Sequence, residues 1–396
     1  MKLFKKNNYL DKGLSKGFIS LYTGRMIAQL SSGIGGLFLP IFLYTIFGLK
    51  LQYVVLFYIV NFLLCVVFIP YGAKFLNSFG FKKSLQLSIL FGALFYASFY
   101  FINESNVFYL IILPIIIVNL FRLTYWIPYH IDFAKFTDKK SRGKEFSIME
   151  STRLFISVLS PILVGFLVQK FDFEIMFIMG VVIYFLSGIP YLNIPRTREK
   201  FIWSYKKTWQ EFFSKKSRGV VFAYMADGAE NVVGVVVWPI FIWELLNGDF
   251  FKVGAISALI IAVTVVLQLI LGKYTDKLDK KKILRLGSIF YSFGWIIKIF
   301  VITAFQIFIT ATYHNLSRIF FRTPLDVLTY EIAADQGHYV DEFTVIHEMA
   351  INAGRVLMLV FVLIFTLIFG FSVEWTFALA AMAVLAVNFL EFKKLK

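Results

Sequence analysis

The sequence predicts an all-α membrane protein of twelve transmembrane helices, built as two parallel six-helix repeats. Three observations predict it: an excess of apolar residues, an even set of helix-length apolar segments, and short motifs that recur at a near-constant offset. Of 396 residues, 59% are hydrophobic and 16% charged, and Phe alone accounts for 48. Soluble domains carry about a quarter charged residues and need less oil to fill a core. The one cysteine, Cys65, stands in an apolar run, which excludes an internal disulfide and reads as a small core hydrophobe.

Segments of about 20 apolar residues span a hydrocarbon layer as helices, because unpaired backbone groups are not tolerated in lipid. Twelve such segments are predicted: 17–48, 51–71, 84–102, 107–131, 146–168, 173–192, 219–246, 251–271, 286–303, 305–332, 343–369 and 371–390. Short connections at 103–106, 169–172 and 247–250 require antiparallel hairpins. The boundary near Phe305 has the weakest turn signal. The apolar run after the basic first 16 residues is too long for the core of a cleavable signal peptide.

The distribution of lysine and arginine orients the chain. One set of alternate loops, with both termini, holds 30 of the 40 basic residues, whereas the other set holds only Lys50, Lys170 and Lys252. Both termini are therefore expected in the cytoplasm of a bacterial-type plasma membrane. The net charge of +16 is explained by this bias beside anionic lipid, and a nucleic-acid partner is not expected. Residues 195–218 form the one long connection. Its aromatic residues fall near one helical face, which predicts a linker helix in the cytoplasmic interface between an N-terminal bundle, 1–194, and a C-terminal bundle, 219–396.

The repeat is visible in short strings. "PIFLY" at 40–44 matches "PIFIW" at 239–243, "NLFRLTYWIP" at 119–128 matches "NLSRIFFRTP" at 315–324, and "EFSIM" at 145–149 matches "EFTVI" at 342–346. Six helices per copy returns each copy to the same side, so the copies are parallel and related by an axis along the membrane normal. A fourth pair consists of "AKFLNSFGFKK" at 73–83 and "GKYTDKLDKKK" at 272–282. Both loops resemble the signature loop of the major facilitator superfamily, with Asn77 in place of its Asp in the first copy and Asp279 in place of its second Gly in the other. The resemblance implies a secondary transporter whose halves rock about a central site lined by helices one, four, seven and ten. It further implies a cytoplasmic latch, for which Asn77, Lys82, Lys83, Asp276 and Lys280 are the candidates. Arg122 matches the helix-four arginine of the family's drug–proton exchangers, but Tyr125 and Trp126 stand where their Gln-Gly pair would be.

Seven basic residues lie within spans: Arg25, Arg122, Arg153, Lys298, Arg318, Arg322 and Arg355. Facing lipid, they would together cost about 20 kcal/mol on insertion scales, so they must face a wet cavity, pair with acids or reach an interface. At 1.5 Å per residue, Arg122 and Arg318 lie about 22 and about 20 Å from the outer end of their spans, too deep to reach out. On span seven, Asp227 and Glu230 are three apart and share a face. Glu230 aligns with Ser31 of the first repeat. Arg122 and Arg318 are the candidate clamp for an anionic group, with Arg25, Gln29, Tyr125, Asn231 and Arg355 as further substrate-binding candidates. Glu230 and Asp227 are the candidate proton-coupling carboxylates. Glu150, Arg153, His347 and Glu348 are expected at the cytoplasmic gate, and Lys298 as a snorkelling or helix-pairing lysine. Glu244 is expected to be solvated, and His130 and His314 to be hydrogen-bonded near helix ends.

"HEMAIN" at 347–352 lacks the second histidine of a zinc-protease helix, since Ile351 stands there. The sequence presents no catalytic constellation, metal cluster or phosphate loop, so neither enzyme activity nor a cofactor is expected. The expected function is transport of a small solute, an organic anion in the first instance, by a proton-coupled monomer in contact with membrane lipid. The alternatives are a polyspecific exporter of drugs or cations, and a sensor or assembly protein on the same fold.

Overall fold

A computed structural model of the chain describes residues 16–136, 142–194, 201–275, 280–334 and 340–389. The elements are α1 (Lys16–Ile46), α2 (Leu51–Phe79), α3 (Phe81–Tyr100), α4 (Val107–Leu110), α5 (Ile112–Phe136), α6 (Arg142–Tyr191), α7 (Tyr205–Phe212), α8 (Arg218–Val232), α9 (Trp238–Leu245), α10 (Phe250–Thr275), α11 (Lys280–Lys298), α12 (Ala304–Ala334), α13 (Val340–Leu367) and α14 (Thr376–Ala386). No strand occurs among the described residues. Each of the twelve predicted segments falls largely on helix. Among the described residues, seven helices are long and apolar enough to cross a membrane by length and composition alone. One of these, α6, holds two predicted segments, divided at Asp172 where the backbone leaves helical geometry at φ 60°. The segment before α12 ends earlier than expected: Lys298 closes α11 and the turn occupies 299–303.

Prolines 40, 70, 161, 190 and 324 sit inside long helices, which neighbouring helices in a bundle can tolerate. Between α8 and α9, Val233–Val237 winds as a π-helix. Pro239, just beyond, has no N–H to donate and its ring crowds the carbonyl four residues back, so the ladder loosens there.

The turns repeat as faithfully as the strings. At the end of α1, Gly48 and Leu49 both adopt positive φ, and at the end of α9 so do Asn247 and Gly248. The hydrogen bonds match one for one at an offset of 199. Leu49 N donates to Tyr44 O and Gly248 N to Trp243 O, each at 2.9 Å. Gly48 N donates to Thr45 O and Asn247 N to Glu244 O, each at 3.0 Å. Asp172 and Gly370 form a second pair of positive-φ turn residues at an offset of 198.

Packing follows the same symmetry. In the first half α1 packs on α6, α3 on α5 and α6, and α2 on α5. In the second half α8 packs on α13, α11 on α12 and α14, and α10 on α12. The two most extensive contacts between the halves are α6 with α10 and α2 with α13. These are equivalent under the repeat, as a twofold axis between the halves requires. Small residues let the helices close up. A Cβ on Gly354 would collide with Met225 O, and one on Gly228 with Ile351 O, so α8 and α13 cross nearly backbone to backbone.

Large apolar side chains cover the outside, among them Phe155, Leu163, Phe290 and Phe293. The end of the bundle that carries α7 is the linker end, and the end with the turns after α1 and α9 is the far end. Asp276 and the other residues between 275 and 280 lie outside the described residues, so that half of the proposed latch is not described.

Candidate functional site

The α2–α13 contact encloses a cavity of about 250 Å³ lined by Cys65, Ile69, Arg122, Glu348, Ile351, Asn352 and Arg355. α2 and α5 of the first half and α13 of the second supply its walls. Phe62, one turn before Cys65 on α2, is its aromatic support: the guanidinium carbons of Arg122 and Arg355 each lie 5.0 Å from the centre of that ring. The two cations therefore stand no farther apart than twice that distance, one from each half.

Neutral amide oxygens hold both arginines. Arg122 Nη1 donates to Asn61 Oδ1 at 2.7 Å. Asn61 also accepts from Asn119 Nδ2 at 3.3 Å. Arg355 donates through Nη1 to Asn352 Oδ1 and through Nη2 to Asn231 Oδ1, each at 3.1 Å. The close crossing of α8 and α13 brings Asn231 within reach. Among the described residues no carboxylate makes an ion pair with either arginine. Glu348 lines the cavity, and its Oε1 lies 3.4 Å from His347 Nδ1.

A second polar cluster lies within the second half. Glu230 on α8 is buried and accepts from Tyr291 Oη at 2.5 Å and from Trp295 Nε1 at 3.2 Å, both on α11. Asp227, one turn earlier and also buried, pairs with Arg322 of α12. Lys298 is buried rather than snorkelling, with Nζ 4.2 and 4.0 Å from the rings of Trp238 and Trp295, so it joins α11 to α9 through cation–π contact. His314 is buried mid-helix, 4.5 Å from both Tyr291 and Trp295, and its Nδ1 has no hydrogen-bond partner among the described residues. Arg318 differs from its neighbours. Its side chain is accessible, and Tyr291, Glu230, Arg322 and Asp227 are its electrostatic surroundings.

The structure thus brings Arg122, Arg355 and Asn231 together, and puts Arg318 with Glu230 and Asp227 instead of on the cavity wall. Arg25 Nη1 donates to Tyr125 Oη at 2.9 Å, a separate pair joining α1 to α5. Gln29 follows Arg25 by one turn of α1 and is half-buried, as is Arg153 on α6. The side chains of Glu150, His130 and Lys280 lie outside the described residues. Asn77 is engaged with the linker: its Nδ2 donates to Phe201 O at 2.7 Å and its Oδ1 accepts from Phe201 N at 2.8 Å. The next residue, Ile202, donates its N–H to Glu342 of α13 at 3.1 Å, so the linker touches both halves. Lys82 Nζ donates to Leu192 O at 2.5 Å, and Lys83 is exposed. Glu244 is exposed, as expected, but accepts from Tyr44 across the halves. Sequence reasoning missed Asn61, Phe62 and Asn352. Asn352 carried a weak early signal, standing one turn from Arg355, whereas Asn61 and Phe62 carried none, since α2 contains no arginine.

Comparison with known proteins agrees with this architecture. A profile of the Major Facilitator Superfamily matches residues 21–227, more than half of the chain. The fold is similar to a crystal structure of the peptide transporter POT, a point mutant in complex with alafosfalin. The TM-score is 0.66 at 11% identity, covering 94% of this chain and 93% of that one. No curated protein matches the sequence. At that identity the likeness establishes the fold alone, but the profile match, the internal repeat and the paired contacts between halves converge. The chain belongs to the Major Facilitator Superfamily and is a multi-pass membrane transporter, not an enzyme.

Proposed function

We propose that the protein is a secondary active transporter of a small organic anion, working by alternating access of its two halves and coupled to protons. One observation carries the reading: Arg122 and Arg355, one from each half, meet at one cavity, and among the described residues neither is ion-paired with a carboxylate, Glu348 being the one acid in the cavity lining. A substrate carboxylate or phosphate is the natural counter-charge, since guanidinium groups offer paired donors to such oxyanions. A ligand gripped by both halves favours the state in which both grips are made, and that differential affinity is what moves the equilibrium. Arg318, solvent-accessible and near Glu230, is the candidate second station for anionic groups.

Glu230 is the candidate proton carrier. It is buried, held by two hydrogen-bond donors and close to Arg318, so its protonation state would alter the charge that a substrate meets there. Asp227 is committed to Arg322 and serves as its structural partner. The lysine bias supports an orientation in which the linker end faces the cytoplasm of a bacterial cell, with residues 195–218 as interfacial connection between bundles 1–194 and 219–396.

Transport into liposomes tests the reading, with a panel of small organic anions, cations and neutral solutes, with and without a pH gradient. Arg122→Gln and Arg355→Gln are each expected to reduce anion uptake at least about tenfold, the scale of one lost charged hydrogen bond. Uptake of cations alone, or full anion uptake by both variants, would sink the proposal. Glu230→Gln is expected to remove gradient-driven accumulation while leaving exchange of substrate for substrate.

A further inference from the structure

We infer that Asn61, Asn231 and Asn352 are the residues that set the charge selectivity of the cavity, by orienting Arg122 and Arg355 without neutralising them. The inference rests on the anion reading above and deepens it.

A buried arginine needs acceptors, because each unmet N–H costs free energy. An aspartate in those positions would meet the donors equally well in shape. It would also cancel the charge and leave nothing for a ligand to neutralise. The second half contains that arrangement, with Arg322 on Asp227. At the cavity the acceptors are instead three amides. The amide oxygens, not the NH₂ groups, must face the guanidinium groups, since arginine has no acceptor. Asn61 Oδ1 is fixed by a second donor, Asn119 Nδ2, whose other hydrogen bond goes to Ile115 O at 2.8 Å. Asn352 is fixed by donating its Nδ2 to Glu348 O at 2.7 Å. Asn61 and Asn352 are buried, so water does not replace them as acceptors. These asparagines are positioning residues: they hold each guanidinium against the Phe62 ring and leave its remaining N–H groups for a ligand.

The one cysteine provides the readout, since Cys65 lines the same cavity as both arginines. The rate of its modification is measured with a sulfonate-bearing methanethiosulfonate and with its trimethylammonium counterpart. Each rate is divided by that of the same reagent with a free thiol in solution. The ratio of the two removes the reactivity of the thiol and leaves the field it stands in. Wild-type protein is expected to favour the sulfonate. Asn61→Asp and Asn352→Asp keep shape and add one negative charge, so each is expected to lower the preference on the order of tenfold. Should Cys65 react with neither reagent, Ile351→Cys in a Cys65→Ala chain reports from the same wall. A wild-type protein with no preference for the anionic reagent removes the anion reading itself. A preference retained in both folded aspartate variants removes only the role given to the asparagines.

Discussion

Tyr44 of α1 donates a hydrogen bond to Glu244 of α9, tying the first half of the chain to the second at the far end of the bundle. The Tyr44 ring also meets Trp243 edge-on at 6.2 Å, and Tyr44 and Trp243 are equivalent positions of the repeat. The symmetry axis therefore passes close to this contact.

If the halves must part there during transport, fixing the contact should stop the cycle. Tyr44→Cys with Glu244→Cys in a Cys65→Ala chain is expected to be joined by a short bis-methanethiosulfonate cross-linker, which spans the length of the two lost side chains, and to lose transport, which returns on reduction. Cross-linked protein with unchanged transport would show that the far end does not open between these residues.

The crossing of α8 and α13 should not admit a methyl group. Gly354→Ala would place Cβ against Met225 O, on backbone that cannot turn aside. The expected cost is about 1–3 kcal/mol, the range of overpacking, read as a lower melting temperature in detergent. Gly36→Ala, with open space around the added Cβ, is the control and should leave the melting temperature near wild type.

Asp227 and Arg322 should behave as a coupled pair. Asp227→Asn removes one charged partner of a partly exposed arginine, and Arg322→Gln removes the ion-pair partner of a buried carboxylate. Each is expected to destabilise, by up to about 3 kcal/mol for the buried carboxylate. The double variant should lose less than the sum of the two, as interacting neighbours do. Strict additivity in thermal unfolding would remove the pair from the account.

Asp249, at the far-end turn before α10, supplies a test by pH. Its carboxylate accepts from Lys252 N at 2.9 Å and lies 3.1 Å from Lys252 Nζ. The backbone hydrogen bond from Lys252, with help from its ammonium, holds the Asp249 carboxyl below the usual carboxylate range. A depressed folded-state value means that the stabilisation is full above the ordinary aspartate range and fades as pH falls through the lowered value. Asp249→Asn, which caps nearly as well, should flatten the acid limb of stability slightly, whereas Asp249→Ala should cost about 1 kcal/mol near neutral pH. An acid limb identical in wild type and Asp249→Asn would contradict this.

Much of the fold was legible because its signals are local. The repeated "PIFLY" and "PIFIW" strings led to two turns whose hydrogen bonds match one for one. The place of Arg122 in the interior of a long helix was legible too, since it stands well within an apolar segment that folds as α5. The partner of Arg122 was not. The repeat suggested Arg318, its sequence equivalent, but Arg355 of α13 stands on the same Phe62 ring. Asn77 read as a latch that had lost its charge, and in the fold its amide grips the linker backbone at Phe201.

By itself the sequence determined the helical class, the long apolar segments and the duplication, because apolar length and short recurring strings are properties of neighbours along the chain. Only the tertiary structure decided which arginine within the helices pairs with a carboxylate and which is held by neutral amides. That depends on what an adjacent helix presents at the same height. Arg322 meets Asp227 and Arg355 meets Asn231, two positions only four residues apart on α8, and no periodicity in the chain distinguishes those encounters.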